Sequence, residues 1–190
     1  TTHFSVLDKD GNKVSATLSI NLPFGSAFTA EGTGILLNNE MDDFSAKPGE
    51  PNAYGLVGSA ANAVAAGKRP LSSMTPTIID SPQHTAILGT PGGSRIITMV
   101  FLGVLEHLQG KPVSDWVSRP RFHHQYLPDR IEYEPNSFDE LELEQLAARG
   151  HELKNTHRRY GNMQAILLNK KTGEITAASD PRGEGEAQVQ

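Results

Sequence analysis

The sequence begins with a threonine, and an N-terminal threonine combines a hydroxyl nucleophile with a base on the same residue. The base is the α-amine, whose unperturbed pKa of about 7.7–8.0 leaves a neutral fraction near physiological pH. The amine accepts the proton of the Thr1 hydroxyl and later returns it to the leaving group. The alternative is that Thr1 is an arbitrary starting point. Since there is no initiator Met, we expect either a removed tag or the downstream product of a cleaved precursor.

Two consecutive glycines, Gly92 and Gly93, lie between a predicted strand and a predicted apolar helix. Glycine lets the backbone approach a ligand closely, and N–H groups near a helix start stabilise an anion. This arrangement suits an oxyanion hole, in which two donors meet the negative charge that develops in a tetrahedral intermediate. A tight strand-to-helix turn explains the same pair equally well. The third glycine of a dinucleotide-binding fingerprint is missing.

A pair of hydroxyls, Ser72 and Ser73, lies in a loop that leads into a predicted strand. Paired hydroxyls with neighbouring backbone N–H groups can hold a carboxylate. The alternative is that they cap the loop, which serines often do.

A second polar cluster has the opposite character, because it is built from carboxylates and amides. Its members are Asn38, Asn39, Glu40, Asp42 and Asp43. Such a cluster suits an ammonium group or a hard cation such as Ca²⁺. Its spacing fits no standard cation loop, so we favour amine recognition over a metal. A solvated acidic turn is the alternative.

The strands that position these groups are predicted from alternation. Residues 3–21 alternate between apolar and polar side chains, which indicates a hairpin with its turn at residues 8–12. One face is apolar, and the other carries a polar row that includes Ser19 and Asn21. This row either faces solvent or lines a pocket. A second strand pair is predicted at residues 77–80 and 85–88.

Helices are predicted from apolar spacing. The first follows Gly93 and ends near residue 110, and a short one covers residues 113–117. The third covers residues 137–149, with Ser137 and Glu140 as a capping box.

The remainder of the chain is predicted as long ordered loops at residues 22–75 and a final hairpin at residues 164–168 and 174–178. Loops of that length in a compact domain are usually functional. We find no internal repeat or boundary, so residues 1–190 form one domain. The tail, about 183–190, is predicted to be disordered.

The composition excludes several classes of protein. The chain has 190 residues, of which 37% are hydrophobic and 21% charged, which is typical of a globular protein. A net charge of −5 without a basic run argues against nucleic-acid binding. The lack of Cys excludes a disulfide scaffold, a Cys-ligated zinc site and a thiol nucleophile. No apolar run approaches the roughly 20 residues that cross a bilayer. We expect no metal and no cofactor.

Five motifs, in this order, resemble the small subunit of bacterial γ-glutamyltranspeptidase, the part released when the precursor cleaves itself. They are residues 1–5 (TTHFS), 37–44 (LNNEMDDF), 68–74 (KRPLSSM), 91–95 (PGGSR) and 120–123 (PRFH). The resemblance therefore extends over almost the whole chain.

The resemblance implies an α+β fold, the αββα four-layer sandwich of the N-terminal nucleophile hydrolases, completed by a large subunit. It implies an enzyme, formed by autoproteolysis, that cleaves the γ-glutamyl amide bond of glutathione, glutamine and related compounds. A γ-glutamyl ester on Thr1 would pass the group to water or to an amino-acid or peptide acceptor. The same resemblance places the protein in the bacterial periplasm or outside the cell.

The resemblance also assigns roles to residues. Thr1 is the nucleophile, Ser19 bonds to it where the family usually has Thr, and Gly92 and Gly93 supply the oxyanion donors. The substrate α-amino group is surrounded by Asn21, Glu40 and Asp43, although some members have Gln in place of Glu40. The α-carboxylate is held by Ser72 and Ser73. A covering loop and an Arg for the carboxylate are expected from the large subunit.

Two alternatives remain open. One is an acylase of the same fold that removes glutaryl or similar side chains from cephalosporins. Its substrate lacks an α-ammonium, so Glu40 and Asp43 would have no purpose there. The other is a non-catalytic, β-rich binding module in which Thr1 has no chemical role.

Overall fold

A four-stranded antiparallel sheet packed between helices and a hairpin is the framework of this α+β chain. The computed structural model describes all residues, 1–190. The strands are β1 Thr2–Leu7, β2 Lys13–Leu18, β3 Thr29–Ala30, β4 Ile35–Leu36, β5 Thr77–Asp80, β6 His84–Gly89, β7 Phe122–Gln125, β8 Arg130–Tyr133, β9 Leu153–Asn155, β10 Gln164–Asn169 and β11 Ile175–Ser179. The helices are α1 Arg95–Leu108, α2 Val113–Ser118 and α3 Glu140–Ala148, with short 3₁₀ helices at Glu40–Asp43 and Ala60–Asn62.

The central sheet has the order β11-β10-β6-β5, and α1 and α2 cover one of its faces. The core between them is apolar and consists of Ala86, Leu88, Ile96, Met99, Val100, Val113, Trp116, Val117, Met163 and Ala165. Helix α1 approaches the sheet closely at Gly103, where a Cβ would lie 3.0 Å from the side chain of Leu88. Burial of these side chains is the main source of stability for the framework.

The hairpin β1–β2 covers the other face of the central sheet with its polar row. Ser15 Oγ donates to the carbonyl of Leu88 at 3.2 Å, and His3 packs against Gly89. His3 is buried, and this burial lowers its pKa to about 4, so the ring is neutral at physiological pH. Its Nδ1 lies 2.8 Å from the hydroxyl of Thr17. Small hydroxyl side chains fit here because they let two backbone layers approach while satisfying each other's hydrogen bonds.

The apolar face of the same hairpin is exposed. Phe4 is 44% exposed and Leu18 54%, and Val6 and Val14 lie beside them. The interpretation that the polar row faces solvent is wrong for His3, because this side chain is packed against the central sheet. Alternation therefore predicted the two faces but not which of them the domain buries.

Most predicted elements are confirmed, but the start of the third helix and its capping box are not. The predicted third helix begins later than expected, at Glu140, because Asp139 is the cap: its side chain accepts from the Glu142 N–H, and the Glu142 side chain accepts from the Asp139 N–H. The capping box of Ser137 and Glu140 is thus wrong, and Ser137 instead donates to the carbonyl of Arg121. The sheet β7-β8-β9 was not predicted, since its strands are short and its β8–β9 pair is parallel.

A buried network of charges holds the chain after β11 against α2 and β8. Asp180 accepts from Arg121 Nη2 at 2.6 Å and from Arg182 Nη1 at 3.0 Å, and Arg182 Nη2 also donates to Glu134 at 2.6 Å. Two guanidinium groups and two carboxylates neutralise each other, as buried charges require.

The residues after β11 contain no helix or strand, and the prediction that 183–190 are disordered stays a prediction. The longest helix, α1, has 14 residues, and no helix is long and apolar enough to cross a membrane.

Candidate active site

The open ends of two hairpins meet at one edge of the stacked sheets. In the β1–β2 hairpin Thr2 pairs with Leu18, which puts Thr1 beside Ser19. In the β5–β6 hairpin Thr77 pairs with Leu88, so the segments before β5 and after β6 leave the sheet together. A cleft at this edge is lined by residues that flank the two hairpins, by residues of the loop segments between them and by Ile96 of α1. They are Thr1, Ser19, Asn21, Glu40, Asp43, Tyr54, Ser72, Ser73, Met74, Gly93 and Ile96.

The Thr1 hydroxyl is held at the mouth of this cleft by Ser19. The two side-chain oxygens, Thr1 Oγ1 and Ser19 Oγ, are 2.8 Å apart. Ser19 Oγ also accepts a hydrogen bond of 2.8 Å from the backbone N–H of Asn21. Because that acceptor bond fixes the Ser19 oxygen, the Ser19 hydroxyl hydrogen is available to Thr1. Asn21 has a φ of +69°, a left-handed conformation that asparagine tolerates better than most residues.

Two carboxylates, Glu40 and Asp43, face each other in the cleft without a cation between them. Burial, and after it the negative charge of Glu40, raise the pKa of Asp43 to about 6. Glu40 Oε1 is buried and has no hydrogen-bond partner. A buried acceptor without a donor is costly, so this position favours a ligand that brings N–H groups and positive charge. No group of three or more metal-ligating side chains occurs in the structure.

The loop that carries this acid pair is tied to the end of β2. Asn21 Nδ2 donates to the carbonyl of Asn39 at 3.1 Å, and Asn39 Oδ1 accepts from the N–H of Leu22 at 3.0 Å. The other two members of the polar cluster do not line the cleft: Asn38 Oδ1 accepts from the N–H of Glu40, and Asp42 Oδ2 accepts from the N–H of Ala53 at 3.3 Å. The cluster is therefore divided between ligand-facing and structural positions.

Ser72 and Ser73 lie on the side of the cleft formed by the segment before β5. The Ser72 hydroxyl accepts from the N–H of Met74 at 3.1 Å, which is the loop-capping role that the sequence left open. This bond uses only an acceptor site of Ser72, so its hydrogen remains able to donate to a ligand. Capping and ligand binding are thus compatible here.

Gly92 and Gly93 connect β6 to α1 in backbone conformations that other residues rarely adopt. Their φ angles are +148° and +60°, and neither N–H donates a hydrogen bond within the chain. A Cβ on Gly93 would lie 2.6 Å from the ring of Tyr54, and one on Gly92 would collide with Met99. Gly93 lines the cleft that contains Thr1, whereas Gly92 lines a neighbouring cavity. Of the residues to which the family resemblance assigns a role, Gly92 is the one that does not line the Thr1 cleft.

Tyr54 is a cleft residue that the sequence did not indicate. Its hydroxyl donates to the carbonyl of Asn21 at 3.3 Å, and its ring packs on Gly93. Burial raises its pKa, and the charge of Asp43 adds to this effect. A tyrosine in a long loop has no sequence pattern that would mark it. A covering loop was expected from another subunit, but here a residue of this chain already stands over the cleft.

The layered sheets with a hydroxyl nucleophile candidate at their edge are the architecture of the N-terminal nucleophile hydrolases. The family model for γ-glutamyltranspeptidase matches residues 1–190, and the chain belongs to that family. It is 50% identical over 184 residues to the glutathione hydrolase proenzyme of Escherichia coli K12, covering 96% of this chain and 31% of that protein. The chain thus spans about a third of the length of this relative and of the glutathione hydrolase proenzyme of Pseudomonas aeruginosa.

Solved structures agree with this assignment. An acivicin-inhibited γ-glutamyltranspeptidase superposes with a TM-score of 0.91 at 46% identity, covering 97% of this chain and all of that chain. A cephalosporin acylase from Bacillus halodurans superposes with a TM-score of 0.75 at 22% identity, covering 97% of this chain and 33% of that one. The second likeness shows a shared fold alone.

The contact between Gly93 and Tyr54 generates a prediction about Gly93→Ala. We expect this variant to displace the Tyr54 ring and to lower the melting temperature more than Gly11→Ala does. Gly11 also has a positive φ, +83°, but a Cβ there would meet nothing within 4 Å, so it reports the backbone strain alone, about 1–2 kcal/mol. Crystal structures and thermal unfolding of both variants measure the difference. Equal melting temperatures with an unmoved Tyr54 would contradict the prediction.

Proposed function

We propose that the complete protein cleaves the γ-glutamyl amide bond of glutathione, glutamine and related compounds through a γ-glutamyl ester on Thr1. The ester then passes the γ-glutamyl group to water or to an amino-acid or peptide acceptor. The observation that carries this proposal is the shared cleft: the Thr1 hydroxyl lies in the same small site as a carboxylate pair with an unpartnered buried oxygen. Family membership supports the same reaction.

The acid pair binds the α-ammonium of the γ-glutamyl group. An ammonium supplies three donors and a positive charge, which satisfies Glu40 Oε1 and removes the repulsion between Glu40 and Asp43. Asn21 stands beside this pair and contributes its side-chain amide. Charge-assisted hydrogen bonds of this kind are about twice as strong as neutral ones.

The opposite end of the same substrate is bound by the hydroxyls of Ser72 and Ser73. They hold the α-carboxylate, together with the Arg that the family resemblance places on the large subunit. Fixing both ends of an amino acid orients the γ-carbonyl over the Thr1 hydroxyl, which makes the attack effectively unimolecular. Substrate orientation therefore comes from charge at one end and hydroxyls at the other.

The chemical step uses groups at the meeting point of the two hairpins. The Thr1 α-amine takes the hydroxyl proton as Oγ1 attacks the γ-carbonyl carbon, and Ser19 holds that oxygen in position. The N–H groups of Gly92 and Gly93 donate to the oxyanion. Collapse of the intermediate breaks the C–N bond, and the proton passes from the amine to the departing nitrogen. No cofactor takes part in this scheme.

The same hydroxyl accounts for maturation of the precursor. Before cleavage, Thr1 Oγ1 attacks the carbonyl carbon of the preceding residue, the peptide C–N bond breaks to leave an ester and a free α-amine, and water then hydrolyses the ester. This step releases the α-amine that the mature reaction needs.

The large subunit of the same precursor is the partner. The exposed apolar face of the β1–β2 hairpin, with Phe4, Val6 and Leu18, is the surface we assign to it. Large exposed apolar patches usually mark such interfaces. Covering this face with helices would complete the four-layer αββα sandwich, of which this chain supplies three layers. From the resemblance alone, we place the complete protein in the periplasm or outside the cell.

Replacement of Thr1 tests the nucleophile. In the full-length protein we expect Thr1→Ala to block precursor cleavage, seen by gel electrophoresis, and to reduce turnover of a γ-glutamyl anilide by about 10⁴-fold or more. Thr1→Ser is the matched control, because it keeps the hydroxyl and should retain part of both activities. Unchanged turnover in Thr1→Ala would favour a binding module without catalysis.

Replacement of the acid pair tests ammonium recognition and separates this function from that of a glutaryl acylase. Asp43→Asn and Glu40→Gln should each raise the KM for a γ-glutamyl anilide about 10- to 100-fold, since a hydrogen bond to a charged group contributes about 1.5–3 kcal/mol. The KM for the glutaryl anilide, which lacks the ammonium, should change little. Equal effects on both substrates would refute ammonium binding and favour the acylase.

The raised pKa of Asp43 generates a pH dependence. Below about pH 6 Asp43 is protonated and one of the two negative charges is lost, so ammonium binding weakens. We therefore expect kcat/KM for the γ-glutamyl anilide to rise with pH through about 6 in the unaltered protein. This limb should disappear in Asp43→Asn. A profile of the same shape in both proteins would show that another group is responsible.

A further inference from the structure

A second cavity adjoins the Thr1 cleft, and of the residues that line it only Gly92 has a role in the steps above. Its volume is about 380 Å³, enough for an amino acid or a dipeptide. The residues that matter for its chemistry are Tyr54, Gly92, Arg95, His123, Arg130 and Glu132. It lies between the Tyr54 loop, the start of α1 and the sheet β7-β8-β9.

The cavity carries an excess of positive charge. Glu132 is its one carboxylate, and it pairs with Arg95 Nη2, with Arg130 Nη2 at 2.9 Å and with Lys154 Nζ at 3.7 Å. Burial opposes ionisation of Glu132, but its hydrogen bonds to Arg95 and Arg130 and their charges lower its pKa to about 2. One negative charge thus faces three cations. Burial lowers the pKa of His123, so the ring adds no positive charge to the cavity at neutral pH.

Both arginines keep donors that the chain does not use. Arg95 makes its side-chain hydrogen bond through Nη2, and Arg130 bonds Glu132 through Nε and Nη2. Arg95 Nη1 and Arg130 Nη1 therefore have no acceptor within the chain. Arg130 is partly exposed, with 29% of its side chain accessible. A guanidinium with free N–H groups in a cavity is suited to a carboxylate ligand.

The cavity borders the cleft that contains Thr1. Tyr54 lines both the cavity and the Thr1 cleft, and the consecutive glycines Gly92 and Gly93 line one each. The acyl carbonyl bound by these glycines would lie at the boundary between the two. Because a residue spans about 3.3–3.6 Å, a dipeptide reaches across such a boundary with its amine at the ester and its carboxylate in the cavity.

We propose that this cavity is the acceptor site, in which Arg130 and Arg95 bind the α-carboxylate of an amino acid or short peptide. This inference rests on the proposed function, since it concerns the second half of the same reaction. With the acceptor carboxylate held there, its neutral amine nitrogen attacks the carbonyl carbon of the γ-glutamyl ester. A C–N bond forms and the bond to Thr1 Oγ1 breaks. The amine proton passes through the Thr1 α-amine to that oxygen, which regenerates the hydroxyl.

Water has no carboxylate, so hydrolysis of the ester needs no such site. The cavity would therefore set how well an acceptor competes with water. It would also select acceptors that carry a free carboxylate near the amine, in preference to simple amines.

The decisive variant is Arg130→Gln in the complete, processed protein. With a γ-glutamyl anilide as donor, we expect the KM for glycylglycine to rise about 10- to 100-fold, the cost of losing a hydrogen bond to a charged group. Hydrolysis of the donor without acceptor should continue. Arg130→Lys keeps the charge but loses the planar guanidinium, so its KM for glycylglycine should lie between those of the unaltered protein and of Arg130→Gln.

Lys154→Gln is the matched control. It removes another cation from Glu132 but does not line the cavity, and it should leave the KM for glycylglycine within about 2- to 3-fold of that of the unaltered protein.

A change in the acceptor makes the test independent of any general effect on the fold. Glycylglycinamide lacks the carboxylate, so Arg130→Gln should leave its KM unchanged. An equal rise in KM for the amide, an unchanged KM for glycylglycine, or a parallel loss of hydrolysis would each overturn the acceptor site. Absence of hydrolysis in the unaltered protein would instead overturn the proposed function itself.

Discussion

The open ends of two β-hairpins, stacked in the same direction, are the constraint on which the site depends. The β1–β2 hairpin ends in Thr1 and Ser19, and the β5–β6 hairpin is flanked by Ser73 and Gly92. Antiparallel pairing brings the two ends of each hairpin together. The polar row of the first hairpin then lies on the central sheet, with Ser15 bonded to Leu88 and His3 packed on Gly89. A slip of one residue would turn His3 outward and separate Thr1 from Ser19.

Charge is distributed unevenly in the molecule, and the contrast separates structural from ligand-facing groups. In the network of Arg121, Arg182, Glu134 and Asp180 every charge has a partner, which is how buried charges contribute to a folded structure. In the Thr1 cleft two carboxylates have no cation. In the neighbouring cavity Glu132 pairs with Arg95 and Arg130, and Lys154, which does not line the cavity, is a third cation within 3.7 Å of it. The two unbalanced sites adjoin each other and have opposite sign, which matches the proposed transfer of a γ-glutamyl group to an amino-acid acceptor.

The sequence predicted the regular elements well where local patterns are strong. The spacing of Ile96, Val100 and Val104 predicts α1, and the alternation around residues 8–12 predicts the first hairpin. Prediction from the sequence failed where tertiary contacts determine whether an element forms or where it begins. The short strand Leu153–Asn155 forms only because β8 offers it a parallel edge, and the cap of α3 moved to Asp139 because Ser137 bonds to Arg121. Tyr54 lies in the site because its ring packs on Gly93, a tertiary contact that no local sequence pattern encodes.

The sequence by itself determined the chemical groups and their local geometry: a hydroxyl at Thr1, two glycines between a strand and a helix, an acid pair in one loop and two hydroxyls in another. It also determined that the first hairpin has one apolar and one polar face. Only the tertiary structure decided that the polar face is buried and that both hairpins point the same way. The reason is that turn residues and alternation act within a few residues, whereas the stacking of sheets depends on backbone acceptors and burial contributed by β6 and β10, more than sixty residues away.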